Sequence, residues 1–193
     1  MLAGSTGQTE RAEEVVLVDE DDRETGSAGK LAAHEAGGSL HRAFSVFVFD
    51  AGGRLLLQRR AEGKYHFGGL WTNTCCGHPR PGEAVEAAAG RRLFEEMGLS
   101  LGLTRVTSFV YEASDPESGL TEREYDHVLS GVYEAQDIDP DPKEVSDWAW
   151  VSPQELARDL EENPLSYTPW FPLAAAQLYS LRDGESAGEI RAG

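Results

Sequence analysis

The chain has 193 residues, 40% of them hydrophobic and 26% charged, with a formal net charge of −17. That length suits a single domain with a proper core, and the acidity argues against nucleic acid and against an anionic membrane surface as partners. The only cysteines, Cys75 and Cys76, are neighbours, so there is no disulfide framework and a reducing cytoplasm is the expected compartment.

Residues 1–13 are polar, lack both a basic segment and an apolar stretch, and read as a disordered tail rather than a signal peptide. No apolar run is long enough to span a membrane. Glu14–Asp19 (EVVLVD) reads as a short strand, and an acidic turn leads towards a second. Lys30–Glu35 reads as a helical turn, released by Gly37 and Gly38. His41–Asp50 (HRAFSVFVFD) alternates and is rich in Val and Phe, which predicts a strand. A hairpin turn through Gly52 and Gly53 returns the chain as Arg54–Arg60. Lys64–Leu70 is a Gly-rich, aromatic loop.

The stretch Trp71–Leu99 carries the strongest signals. Pro81 and Gly82 break what precedes them, an Ala-rich segment follows, and Gly98 stands where a helix-ending glycine belongs. Val85, Ala88, Ala89, Leu93 and Met97 make one apolar stripe. Arg92 and Glu96 lie one turn apart. Such a pair is usually a solvated salt bridge. A cysteine and a histidine just upstream of a carboxylate-bearing helix also make a metal and acid–base constellation.

Arg105–Ala113 and Thr121–Glu134 read as strands, and residues 138–147 as a Pro-broken acidic loop. Trp148–Val151 is a short strand. Ser152, Pro153 and Glu155 mark a helix start. A further helix lies within Tyr167–Leu181, with a polar tail over 182–193. Strands on both sides of one central helix predict an α+β sandwich, one domain over residues 14–181.

His34, His41 and His78 are three of five histidines, and Glu122 and Glu124 project from one face of a predicted strand. Three imidazoles and two carboxylates suit an octahedral divalent ion such as Mn²⁺ or Mg²⁺, or Zn²⁺ or Fe²⁺. Taken singly, each histidine is more often structural.

Gly77, five residues, Glu83, seven residues, Arg91, then Leu93, Glu95, Glu96, Gly98 and Leu99 resembles the Nudix box, which holds divalent metal against a diphosphate. One position departs: hydrolases of that superfamily carry Glu after the Arg, and here it is Arg92. The change removes a carboxylate from a multi-metal site and adds a cation suited to holding a diphosphate intact. The wider pattern, Arg59-Arg60-Ala61 followed by W-T-N-x-x-C-G-H-P from Trp71, is similar to type 1 isopentenyl-diphosphate Δ-isomerases from about Lys30 to Trp170.

That resemblance implies a Nudix-type α/β/α sandwich with a mixed sheet and a central loop–helix–loop, forming a catalytic domain over 14–181. It implies interconversion of isopentenyl and dimethylallyl diphosphate by metal-assisted protonation and deprotonation. An alkene is a very weak base, so this chemistry needs an acid and a base on opposite faces of a dry slot. The matching positions give Cys76 and Glu124 as proton carriers, assisted by Tyr111. His34, His41, His78, Glu122 and Glu124 match the ligands of the main metal, Mn²⁺ or Zn²⁺. Glu96, with the main-chain carbonyl of Cys76, matches the position of a Mg²⁺ that arrives with substrate. Lys30, Arg60, Lys64 and Arg92 match cations for the diphosphate, and Trp170 the aromatic wall beside the isoprenoid carbons. His66 and His127 have no match and are expected to be structural or surface residues, and Cys75 a core filler. A Nudix hydrolase and a non-catalytic binding module are the two rival readings. The expected partner is a small prenyl diphosphate, with no nucleic acid or membrane, acting on a cytoplasmic monomer.

Overall fold

Nearly every residue of His41–Phe49 is buried on both faces, so that run needs cover on both sides. The computed structural model describes residues 14–64, 66–116 and 118–189, with side chains as far as residue 181, and supplies that cover. In chain order the elements are β1 (Glu14–Val18), β2 (Glu24–Gly29), α1 (Lys30–His34), β3 (His41–Phe49), β4 (Leu55–Arg60), β5 (Trp71–Thr72) and β6 (Cys75–Gly77). Then come α2 (Val85–Met97), β7 (Leu103–Ser114), β8 (Thr121–Val132), β9 (Val145–Val151), α3 (Pro153–Glu162), a 3₁₀ turn (Pro164–Ser166) and α4 (Trp170–Glu189).

Among the described residues, nine strands join in one mixed sheet with β3 at its hub. β3 runs parallel to β8, with His41 opposite Glu124 and Phe49 opposite Val132. Its other edge pairs with β6 in the middle and meets β1 and β4 at its ends. β7 flanks β8, while β5 and β9 flank β4.

The period-two alternation of β3 divides the interior. Phe44, Val46 and Val48 face the apolar stripe of α2, where Val85, Ala88, Ala89, Leu93 and Met97 are buried. Phe47 and Phe49 face Phe171, Ala174, Ala175 and Leu178 of α4. The α/β/α sandwich expected from the sequence is the fold observed. Helix boundaries follow the predicted signals: Ser152 and Glu155 form a reciprocal capping box. α2 stops at Gly98, whose φ of 70° is left-handed.

Three local features differ from expectation. Two short strands, β5 and β6, lie ahead of α2 in a stretch where no strand was predicted, because β4 and β3 offer them free edges. β9 begins at Val145 rather than 148, since Val145 is buried under α2's cluster and pairs with Arg60. α4 continues to Glu189, past the expected end at Leu181. Residues 1–13 and 190–193, read as parts of tails, lie outside the described residues. Among the described residues no helix is long and apolar enough to cross a membrane.

Gly98 combines a left-handed backbone with close packing, since a Cβ there would lie 2.9 Å from the Asp139 carbonyl oxygen. Gly98→Ala should therefore cost about 1–2 kcal/mol or more. Denaturant unfolding checks this as a lowered midpoint with an unchanged slope.

Candidate active site

Register decides which side chains meet. Residues paired across strands point to the same face. His41 is opposite Glu124, Ser45 is opposite Cys76, and Tyr111 is opposite Glu124. Glu122 and Glu124 repeat at two-residue spacing on β8, so His41, Cys76, Tyr111 and both carboxylates share the face covered by α4. α1 brings Lys30 and His34 to the same end. The predicted site residues Lys30, Arg60, Lys64, Cys76, His78, Arg92, Glu96, Tyr111, Glu122, Glu124 and Trp170 all line one cleft, which encloses about 760 Å³ including its open mouth.

The five predicted metal-ligating residues converge. His34, His41, His78, Glu122 and Glu124 each place one ligand atom within 4.8 Å of all the others. His34 Nδ1 is bonded to the Lys30 carbonyl at 2.5 Å and His41 Nδ1 to the Ser39 carbonyl at 2.8 Å. Those contacts put the protons on Nδ1 and leave each Nε2 lone pair facing the cluster. His41 Nε2 lies 3.1 Å from His78 Nε2 and 3.5 Å from Glu124 Oε1. His34 Nε2 is 2.8 Å from Glu122 Oε2, and His78 Nε2 is 2.8 Å from Glu124 Oε1. Lone pairs and carboxylate oxygens gathered this closely fit a divalent cation at their centre.

The electrostatics agree. Burial drives the His78 pKa down to about 4, so His78 stays a neutral donor of its lone pair. Burial also acts to lower that of His34, but the Glu122 carboxylate outweighs it and raises it. A cation entering the cluster would take that proton's place. Although burial opposes it, hydrogen bonds from His34 and His66 hold Glu122 well below the usual carboxylate range. Burial and the Glu122 charge also oppose ionisation of Glu124, yet His41 and His78 keep its pKa low.

His66 adds to the sequence reading. It was expected to be structural or at the surface; it is buried, lines the cleft, and pairs through Nε2 with Glu122 Oε1. No motif marks it, because it arrives from the Gly-rich loop across space. His127 stays outside the cleft-lining set, buried with its Nε2 3.1 Å from Asp22 Oδ2. Cys75 is fully buried in the cluster under α2, as a core filler should be.

Around the cluster lie groups able to carry protons. The Tyr111 hydroxyl donates to Glu124 Oε2 at 2.5 Å. Burial pushes the Cys76 thiol up to about 12, against the opposing charge of Arg60, whose Nη1 is 4.0 Å from the sulfur. Those shifts favour a protonated Cys76 thiol and an ionised Glu124 carboxylate. Trp170 is buried at the cleft wall, with the Arg60 guanidinium 5.5 Å from its ring centroid. Asp126, next on the β8 face, escaped the sequence reading. It accepts from the Ser45 hydroxyl at 2.8 Å, and burial, then the Glu124 charge, pushes its pKa up to about 8.

α2 supplies the remaining groups. Arg91 grips both oxygens of Glu83, at 2.8 and 2.9 Å, fixing the turn ahead of the helix. Arg92 bonds Glu96 at 2.6 Å and Glu95 at 2.9 Å. Glu96 is buried and also accepts from Gln58 at 2.9 Å. Gly77 allows the helix this close: a Cβ there would lie 3.1 Å from the Phe44 ring and 3.5 Å from Arg92 Cγ.

The NUDIX domain family matches residues 39–171. An isopentenyl-diphosphate Delta-isomerase of Halorhodospira halophila is 53% identical over 159 residues, covering 82% of this chain and 91% of that protein. One of Nocardia farcinica is 49% identical over 177 residues, covering 90% and 98%. A crystal structure from Deinococcus radiodurans superposes with a TM-score of 0.67 at 20% identity, covering 85% of this chain and 98% of that one. A MutT protein from Methanosarcina mazei gives 0.59 at 19%, covering 75% and 95%; at such identities the likeness is one of fold.

Converging lone pairs make a checkable statement about metal. Glu122→Gln and His41→Ala should each weaken divalent-ion binding by more than about tenfold. Elemental analysis of the purified variants, with competition against a chromophoric chelator, measures it; wild-type metal content in both would contradict the cluster's role.

Proposed function

We infer the reaction from family and geometry together: the chain belongs to the isopentenyl-diphosphate Delta-isomerases, built on a NUDIX domain. It interconverts isopentenyl and dimethylallyl diphosphate by adding a proton to one carbon of the alkene and removing one from a neighbour. One observation carries this reading: the Cys76 thiol and the Tyr111-bonded Glu124 carboxylate line the same cleft, beside the His/Glu cluster.

Each residue has a task. Lys30, Arg60, Lys64 and Arg92 bind the diphosphate and leave it attached. Trp170 walls the isoprenoid end, where an aromatic face stabilises developing positive charge by about 2 kcal/mol in a dry setting. Cys76 and Glu124 hold and move the protons from opposite sides of the alkene. Addition of one proton and loss of another leave the pair's total unchanged over a cycle. Tyr111 fixes the orientation of Glu124. His34, His41, His78, Glu122 and Glu124 would hold Mn²⁺ or Zn²⁺; Glu96 and the Cys76 carbonyl would hold Mg²⁺ with the diphosphate. A bound dication sets the proton affinity of the carboxylate it touches and neutralises phosphate charge. The domain over 14–181 works as a cytoplasmic monomer on a small prenyl diphosphate. The hydrolase reading is weakened by Arg92, whose guanidinium is paired with Glu95 and Glu96 of the box.

Proton NMR in D₂O with isopentenyl diphosphate tests this in one tube. The expected result is deuterated dimethylallyl diphosphate; released phosphate or pyrophosphate would overturn the isomerase reading. Cys76→Ala and Glu124→Gln should each lower turnover by about 10²–10⁴ or more with little change in melting temperature. Near wild-type turnover in either would remove that residue from the chemistry.

A further inference from the structure

The two cations Lys64 and Arg92 come from different elements, one from the loop after β4 and one from α2. Both have flexible stems, and two like charges drawn towards one diphosphate repel each other. Glu95 and Glu96 hold Arg92 from its own helix, but a carboxylate between the two cations would offset their repulsion. Glu144, the residue just before β9, has the contacts to do so. Its Oε2 is ion-paired with Lys64 Nζ, and its Oε1 is 3.3 Å from the Arg92 guanidinium. Its side chain is only 13% exposed, so water does little to screen either contact.

The main chain ties the same residue to both elements. The Ala61 N–H donates to the Glu144 carbonyl at 2.9 Å, and the Lys64 N–H donates back to Ala61 at 3.1 Å. On the other side, the Glu144 N–H donates to Asp141 at 2.9 Å, and the Asp141 N–H to the Glu96 carbonyl at 3.0 Å. Lys64 and Arg92 line the cleft with Glu144 behind them.

We propose that Glu144 is a positioning residue for the diphosphate, holding Lys64 and Arg92 as a preformed pair that joins the mobile-stemmed lysine to the helix. This rests on the assignment of those two cations to the diphosphate. The alternative physics predicts the opposite sign. If Glu144 acted mainly as a competing anion, its removal would tighten anion binding; as an organiser, its removal loosens it.

The test measures inorganic pyrophosphate binding by calorimetry, together with steady-state kinetics, for the wild type, Lys64→Ala, Glu144→Gln and Glu144→Ala, with melting temperatures for all. The expected result for Glu144→Ala is about tenfold weaker pyrophosphate binding and a similar rise in KM, with kcat changed far less. Glu144→Gln keeps an acceptor oxygen and should fall between it and the wild type; it also serves if the alanine variant does not fold. Unchanged or tighter pyrophosphate binding in the folded Glu144 variants, with Lys64→Ala weakened, would overturn the role of Glu144 alone. Unweakened binding in Lys64→Ala would overturn the cation assignment and the inference with it.

Discussion

The parallel pairing of β3 with β8 is the constraint on which the site depends. His41 opposite Glu124 starts a ladder that continues to Phe49 opposite Val132. A slip of one residue would turn every side chain to the other face. Glu122 and Glu124 would then meet the apolar stripe of α2 rather than the imidazoles. The slip is resisted because β3 is buried on both sides and its two apolar sets pack against different helices. The core thus holds the polar cluster in register.

A second theme is how a chain of net charge −17 handles an anionic substrate. The acidity is a property of the whole molecule, whereas the cleft is a local arrangement. Glu96, in its lining, and Glu144, outside it, are paired with Arg92, and Glu144 also with Lys64. The buried carboxylates of β8 are met by imidazoles. These carboxylates are therefore balanced locally, which lets a cleft in an acidic protein accept a diphosphate.

Much of this was legible in the linear order of residues. The helix from Val85 to Met97 carries its own stop at Gly98 and its own stripe, both local signals. The i, i+2 spacing of Glu122 and Glu124 put them on one face before any partner was known. What stayed hidden was brought together across space. His66 lies in a loop with no periodicity, and only tertiary packing sets it against Glu122. Glu144 sits in a run of acidic and proline residues whose composition reads as a solvated turn, yet its backbone is anchored at both ends. The strands β5 and β6 are too short to show a pattern and exist because neighbouring edges were open.

The short helix α1 has a consequence of its own. Within its five residues it presents Lys30 and His34, and His34 Nδ1 is bonded back to the Lys30 carbonyl. An imidazole of the His/Glu cluster and an ammonium that lines the cleft are thus carried on a single turn of backbone. With an ion on the imidazole and an anion on the ammonium, any effect of the first on affinity for the second would be returned in equal measure, as reciprocity between coupled equilibria requires.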